Sequence, residues 1–135
     1  MRRALVLAAA LLPIALVTLS PRRGSTLVEL MPLADLREAV GERDLALLFK
    51  SFANVLLFVP FGAALGLYDV SLGAALLAGV ALSGAIEVAQ FVVVPGRTSS
   101  VDDLVLNTVG AVVGYLLVSN LRRRTIRFAP RNAPP

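Results

Sequence analysis

Four apolar stretches, residues 4–19, 52–68, 72–94 and 101–121, occupy more than half of this 135-residue chain. A helix needs about 20 apolar residues to cross the roughly 30 Å hydrocarbon core of a bilayer. Each stretch approaches that length; the first is the shortest and contains Pro13. In lipid every backbone N–H and C=O must find its partner within the protein, so stretches of this kind fold as helices. The chain therefore reads as an all-α membrane protein, a four-transmembrane-helix bundle with helices at about 4–20, 52–68, 71–94 and 101–121. One domain over residues 1–121 leaves no room for a second. A content of 57% hydrophobic and 16% charged residues, with mean hydropathy +0.80, belongs to a membrane chain.

Arg2 and Arg3 precede the first stretch, a basic start shared by secretory signals and retained helices. The run Val17-Thr18-Leu19-Ser20-Pro21 places proline where cleavage would be awkward, so the first helix is expected to stay. Cysteine and histidine are both absent, which excludes disulfides, thiol chemistry, a zinc site of the usual ligands and a Ser-His-Asp triad. No cofactor and no metal site is expected. Any chemistry falls to carboxylates, amides, arginines and hydroxyls.

Arg122, Arg123, Arg124, Arg127 and Arg131 follow the last stretch, and no acidic residue follows Asp103. By the positive-inside rule both termini face the cytoplasm, which agrees with an even number of spans. Residues 122–135 read as a basic, disordered cytoplasmic tail that anchors topology and favours anionic lipid over nucleic acid. Arg22, Arg23, Arg37, Arg43 and Lys50 lie in the opposite, outer loop and run against this count. Within that loop, Pro32 can start a helix, and Leu33, Leu36, Val40 and Leu47 recur between charged residues. A short amphipathic helix along the outer surface is predicted, weakened by Gly41.

Polar residues interrupt the apolar background at one level. With a rise of about 1.5 Å per residue, Glu87 lies roughly 10 Å below Val94 and Asn107 roughly 10 Å below Ser100. Asn54 enters its own helix within a turn of the same surface. Asn54, Glu87, Gln90, Arg97, Asp102, Asp103 and Asn107 are therefore placed in the same third of the bundle, able to meet. Gly79, Ser83, Glu87 and Gln90 share one helical stripe, and Asp103, Asn107, Gly110 and Gly114 share another. An ionised group at the centre of a spanning helix costs about 2.5–3.5 kcal/mol on insertion scales, so Glu87 and the aspartates mark a candidate functional cluster. Gly62 with Gly66 and Gly110 with Gly114 are small-xxx-small pairs for close helix contact, and Pro60 should bend the second span.

Plainer roles exist for each. Ser100 with Asp103 resembles a capping box, and Asp102 is the aspartate more easily explained as a cap alone. Asn54, Gln90 and Asn107 would serve as interhelical hydrogen-bond glue worth about 0.6 kcal/mol each. Glu87 would pair with Arg97 in a buried latch.

Taken together, Asn54-Val-Leu-Leu-Phe-Val-Pro-Phe-Gly62, Glu87-Val-Ala-Gln90-Phe, Pro95-Gly-Arg97, Asp103 and Asn107-Thr-Val-Gly110 with Gly114 resemble the signature of the VanZ-like family of small bacterial membrane proteins. The likeness runs from about residue 30 to 115, beginning with Leu30-Met-Pro32-Leu. Some members carry a histidine in the early helix region; this chain has none. The resemblance implies a multi-pass protein of the bacterial plasma membrane. The family's founding member is linked to low-level resistance to the lipid-tailed glycopeptide teicoplanin, which implies an amphiphilic envelope ligand or glycopeptide as partner.

Three functions are compatible with this reading. The first is a non-enzymatic membrane protein whose polar cluster binds or excludes such a ligand. The second is an enzyme on lipid-linked substrates that uses Glu87 and Asp103 as acid and base, or as oxygen ligands of a divalent ion. The third is a structural or assembly protein, a homo-oligomer included. Four short helices without inverted repeats offer no alternating-access machinery, so transport is not expected.

Overall fold

Capping residues in the sequence decide where the helices begin. The computed structural model describes residues 2–18, 28–29, 31, 33–68, 70–93 and 99–128. In chain order these form α1 (Arg2–Thr18), β1 (Val28–Glu29), α2 (Ala34–Gly41), α3 (Leu45–Leu67), α4 (Leu72–Val93), β2 (Ser99–Ser100) and α5 (Val101–Phe128). Asp44, in extended conformation, accepts from the Ala46 and Leu47 N–H groups at 2.8 and 3.2 Å and so caps α3. Ser71 does the same for α4 through the Ala74 N–H, and Ser100 for α5 through the Asp102 N–H, both at 3.1 Å. The two strands are a two-residue parallel pairing, Val28 with Ser99 and Glu29 with Ser100, in a fold otherwise made of helices.

α3, α4 and α5 are long and apolar enough to cross a membrane, whereas the described apolar part of α1, Val6–Leu16, is shorter. The chain is a helical membrane protein, with three helices of spanning length among the described residues. α3 and α5 run parallel: Asn54 lies beside Asp103 near one end, and Gly66 beside Tyr115 and Ser119 towards the other. Their backbones touch. A Cβ added at Gly62 would fall 1.8 Å from the Ala111 carbonyl oxygen, one at Gly110 2.1 Å from that of Val55, and one at Gly114 2.0 Å from that of Val59. Only residues without a side chain permit this approach. α4 runs antiparallel along α5, with Gly79 opposite Ala111 and Ser83 opposite Asn107. Ala10 and Ile14 of α1 join Phe58, Phe61, Ala64 and Ala111 in the apolar core, where the Phe58 and Phe61 rings meet edge to face.

Several predicted boundaries move. The predicted second span, 52–68, gains seven residues, because the Asp44 cap starts α3 at Leu45 and Lys50 lies inside it. A lysine near the surface keeps its ammonium in water while its stem lies along the helix, so a charge there does not end a span. The predicted amphipathic helix is shorter than its pattern: α2 stops at Gly41, Arg43 takes a left-handed φ of 54°, and Leu47 belongs to α3. Pro32 lies outside the described residues. The predicted disordered tail, residues 122–135, is corrected over 122–128, where α5 continues to Phe128, and its remainder lies outside the described residues. Arginine is a good helix former, and Arg122 Nη1 donates to the Gly66 and Leu67 carbonyls at 3.1 and 2.8 Å, where the end of α3 favours a cation. Tyr115 secures the same end, its hydroxyl donating to the Val70 carbonyl at 2.8 Å.

Candidate functional site: a buried polar cluster at the start of α5

Both aspartates of the first turn of α5 are buried, Asp102 at 1% and Asp103 at 7% exposure. The helix macrodipole favours carboxylates here, but their partners come from far along the chain. Asp103 accepts from Asn54 Nδ2 of α3 at 2.5 Å. Asp102 accepts from the backbone N–H of Leu33, which sits in left-handed conformation (φ 60°) just before α2. Asp102 is thus more than a cap: Ser100 caps the helix, and Asp102 fastens the approach to α2 onto α5.

One turn further along α5, Asn107 is buried at 3% and donates through Nδ2 to Ser83 Oγ of α4 at 3.0 Å. Its Oδ1, like the Oγ of Ser51 on α3, is buried without a hydrogen-bond partner among the described residues. Burying such an acceptor unsatisfied costs about 1–3 kcal/mol. The antiparallel register of α4 on α5 brings Glu87 level with Asp103 and Gln90 level with Ser100. Gln90 is 1% exposed, and Glu87 is half-buried with its Oε2 enclosed. Both are engaged in interactions of their own.

The structure therefore joins Asn54 directly to Asp103, ties Asn107 to Ser83, and sets Glu87 and Gln90 on the adjoining face of α4. Arg97 lies outside the described residues. Ser83, placed by the sequence on the stripe of Glu87 but not in the predicted cluster, is joined to it through Asn107. Among the described residues, no group of three or more histidine, cysteine, aspartate or glutamate side chains is arranged to hold a metal ion.

Asn54 also lines a groove along α3, with Asp44, Lys50, Ala53, Leu57 and Pro60 of α3 and Pro13 of α1 among the other lining residues. Its volume is about 810 Å³, within the range of clefts that hold small molecules.

Compared with known protein families, the chain matches the VanZ/LLP1 family over residues 5–122. It belongs to the VanZ/LLP1 family. The match takes in α3, α4 and the length of α5 up to Arg122, so the buried polar cluster, the groove and the glycine contact between α3 and α5 all lie within the VanZ/LLP1 region. No curated protein and no solved structure matches the chain.

Proposed function

We propose that this VanZ/LLP1 protein crosses the bacterial plasma membrane four times, with both termini cytoplasmic, and that its polar cluster binds or excludes an amphiphilic envelope ligand at the outer leaflet. Arg122, Arg123 and Arg124 at the far end of α5 support that orientation, because basic residues beside spans favour the cytoplasmic side. The observation that carries the reading is the double position of Asn54, which donates to buried Asp103 and also lines the open groove. A ligand with a polar head and an apolar body would meet hydrogen-bonding groups and an apolar wall at one place. A glycopeptide of the teicoplanin type belongs to that class.

The test is teicoplanin susceptibility of a sensitive bacterium expressing wild type, Glu87→Gln or Asp103→Asn, with membrane abundance matched by immunoblot. Wild type protects and both variants protect less. Undiminished protection by the charge-neutral variants would remove the cluster from the function. A structural role is the second reading, favoured by the bonds that Asp102, Asp103 and Asn107 make to other segments. It predicts that Asp103→Asn and Glu87→Gln lower abundance before they lower protection per molecule. A reaction at Glu87 and Asp103 would instead leave ligand capture intact while product formation stops.

A further inference from the structure

The polar lining of the α3 groove is one-sided in its hydrogen bonding. It holds two side-chain donors, and both are committed: Asn54 Nδ2 to Asp103 at 2.5 Å, and the Lys50 ammonium to an interaction of its own. The N–H groups of Ala46 and Leu47 are taken by Asp44 Oδ1, and Pro13 and Pro60 have none to give. The side-chain atoms left over are acceptors. Because the Asp103 carboxylate needs a donor, the Asn54 amide turns its nitrogen to α5, and Oδ1 is the polar atom it offers the groove. Asp44 uses one oxygen for both N–H groups and keeps Oδ2. Neither oxygen has a partner among the described residues; Asp44 is exposed and Asn54 half-buried.

Charge and length narrow the occupant. Asp44 and Lys50 are the only charged residues of the lining and offset each other, so an uncharged headgroup fits best. Ten residues separate Asp44 from Asn54, about 15 Å of helix, which is longer than a phosphate and matched by two linked sugar rings. Phe49, 74% exposed, belongs to the lining between them and offers a flat apolar face to the C–H side of such a ring. Beyond Asn54 the wall turns apolar, with Leu56, Leu57 and Pro60 of α3 and Pro13 of α1.

We infer that the groove binds an uncharged glycolipid with a headgroup of two linked sugars, whose hydroxyls donate to Asn54 Oδ1 and Asp44 Oδ2 while an acyl chain runs past Leu57 to the two prolines. This deepens the proposed function by naming the headgroup class, and it rests on that reading for the groove being the site of an amphiphile. A hydroxyl suits these oxygens because it donates to them and still accepts from water. A phosphocholine headgroup has no donor to give.

Native mass spectrometry of the full-length protein in an amine oxide detergent, whose headgroup brings no competing donor, tests this without any antibiotic. Diglucosyl diacylglycerol, its per-O-methyl ether and phosphatidylcholine, all with identical chains, are titrated separately into wild type, Asp44→Ser, Asn54→Leu and Ala53→Phe. The ether keeps every sugar oxygen and loses every donor. Serine still caps a helix, so Asp44→Ser removes the spare oxygen alone and serves if Asn54→Leu fails to fold. Each variant is first checked for helical circular dichroism and monodisperse elution. Wild type should retain the glycolipid about tenfold better than the ether or phosphatidylcholine, the equivalent of about 1.4 kcal/mol. Each acceptor variant should lower that preference about threefold, half of the same free energy, and Ala53→Phe should lose all three lipids. Equal retention of glycolipid and ether overturns the inference, as does an unchanged preference in the folded acceptor variants. Undiminished glycolipid adducts on folded Ala53→Phe overturn it too, and so does a second copy of the chain in place of lipid, seen as a dimer that Ala53→Phe abolishes. The two tests fail separately: a glycolipid preference without protection by wild type counts against the proposed function alone, and protection without the preference counts against the headgroup alone.

Discussion

Replacing Gly62 with alanine puts the contact between α3 and α5 to a direct test. The new methyl would lie 1.8 Å from the Ala111 carbonyl oxygen and 2.6 Å from its carbon, both backbone atoms that cannot rotate away. An ordinary contact needs about 3.4 Å or more, so the helices would have to part by about 1.6 Å, enough to forfeit much of the dispersion energy between facing atoms. The displacement also stretches the Asn54 to Asp103 bond from 2.5 Å and the Arg122 to Gly66 bond from 3.1 Å, to beyond hydrogen-bonding reach if α3 moves as a rigid body. Overpacking alone costs about 1–3 kcal/mol, and two interhelical bonds add about 0.6 kcal/mol each in a membrane. The expected loss is therefore about 2–4 kcal/mol. Gly73→Ala is the control, because its nearest neighbour would be Ser71 Oγ at 3.9 Å on an exposed turn of α4; it should be neutral or stabilising by up to about 1 kcal/mol. Reversible unfolding of both variants in mixed micelles, followed by circular dichroism, gives the difference. Gly62→Ala within about 0.5 kcal/mol of wild type would refute a backbone-to-backbone contact at this position.

Three further outcomes follow from individual bonds. Asp102→Ala removes the acceptor of the Leu33 N–H, and leaving that donor unpaired should cost about 1–3 kcal/mol; hydrogen exchange should rise in α2 and at Leu33 while the middle of α5 stays protected. Tyr115→Phe deletes the bond to the Val70 carbonyl, which should lower stability by about 1 kcal/mol and speed proteolysis at the turn between α3 and α4. For Ser83→Ala and Asn107→Leu, a double-mutant cycle on unfolding free energy should return a coupling of about 0.6 kcal/mol and no more than about 1.7, whereas zero coupling would mean that the 3.0 Å bond contributes nothing in the folded protein.

Local chemistry was legible in the sequence to the extent that it depends on neighbours along the chain. Ser100 is a capping residue by type and caps α5, and long apolar runs demand helices in lipid. The start of α3 escaped a hydropathy reading because Lys50 and Asp44 look like loop residues, although one lies inside the helix and the other is its cap. The extension of α5 escaped for a related reason: a run of arginines reads as a tail until Gly66 and Leu67 provide carbonyls for the first of them. Asp102 shows the limit more sharply. Its place in the first turn of α5 suggests a cap, yet its carboxylate holds a backbone N–H sixty-nine positions away, at a leucine in a conformation that leucine rarely adopts. No periodicity encodes a partner of that kind.

The two ends of the bundle differ in what their bonds can yield. At the end of α5 near Arg122, an arginine and a tyrosine hold exposed carbonyls of α3 and of the following turn, and each bond closes a backbone group that would otherwise face lipid headgroups or water. That end is a clasp. At the start of α5, Asn54 and Asp103 use side chains on both sides of the bond, and Asn107 keeps an acceptor in reserve inside the bundle. Side-chain bonds can be exchanged for bonds to a ligand without unravelling a helix, and the backbone contacts of Gly62, Gly110 and Gly114 would keep α3 and α5 in register during such an exchange. A rigid glycine seam beneath a replaceable polar bond is the arrangement a membrane site needs if it is to admit a headgroup and still hold its spans together.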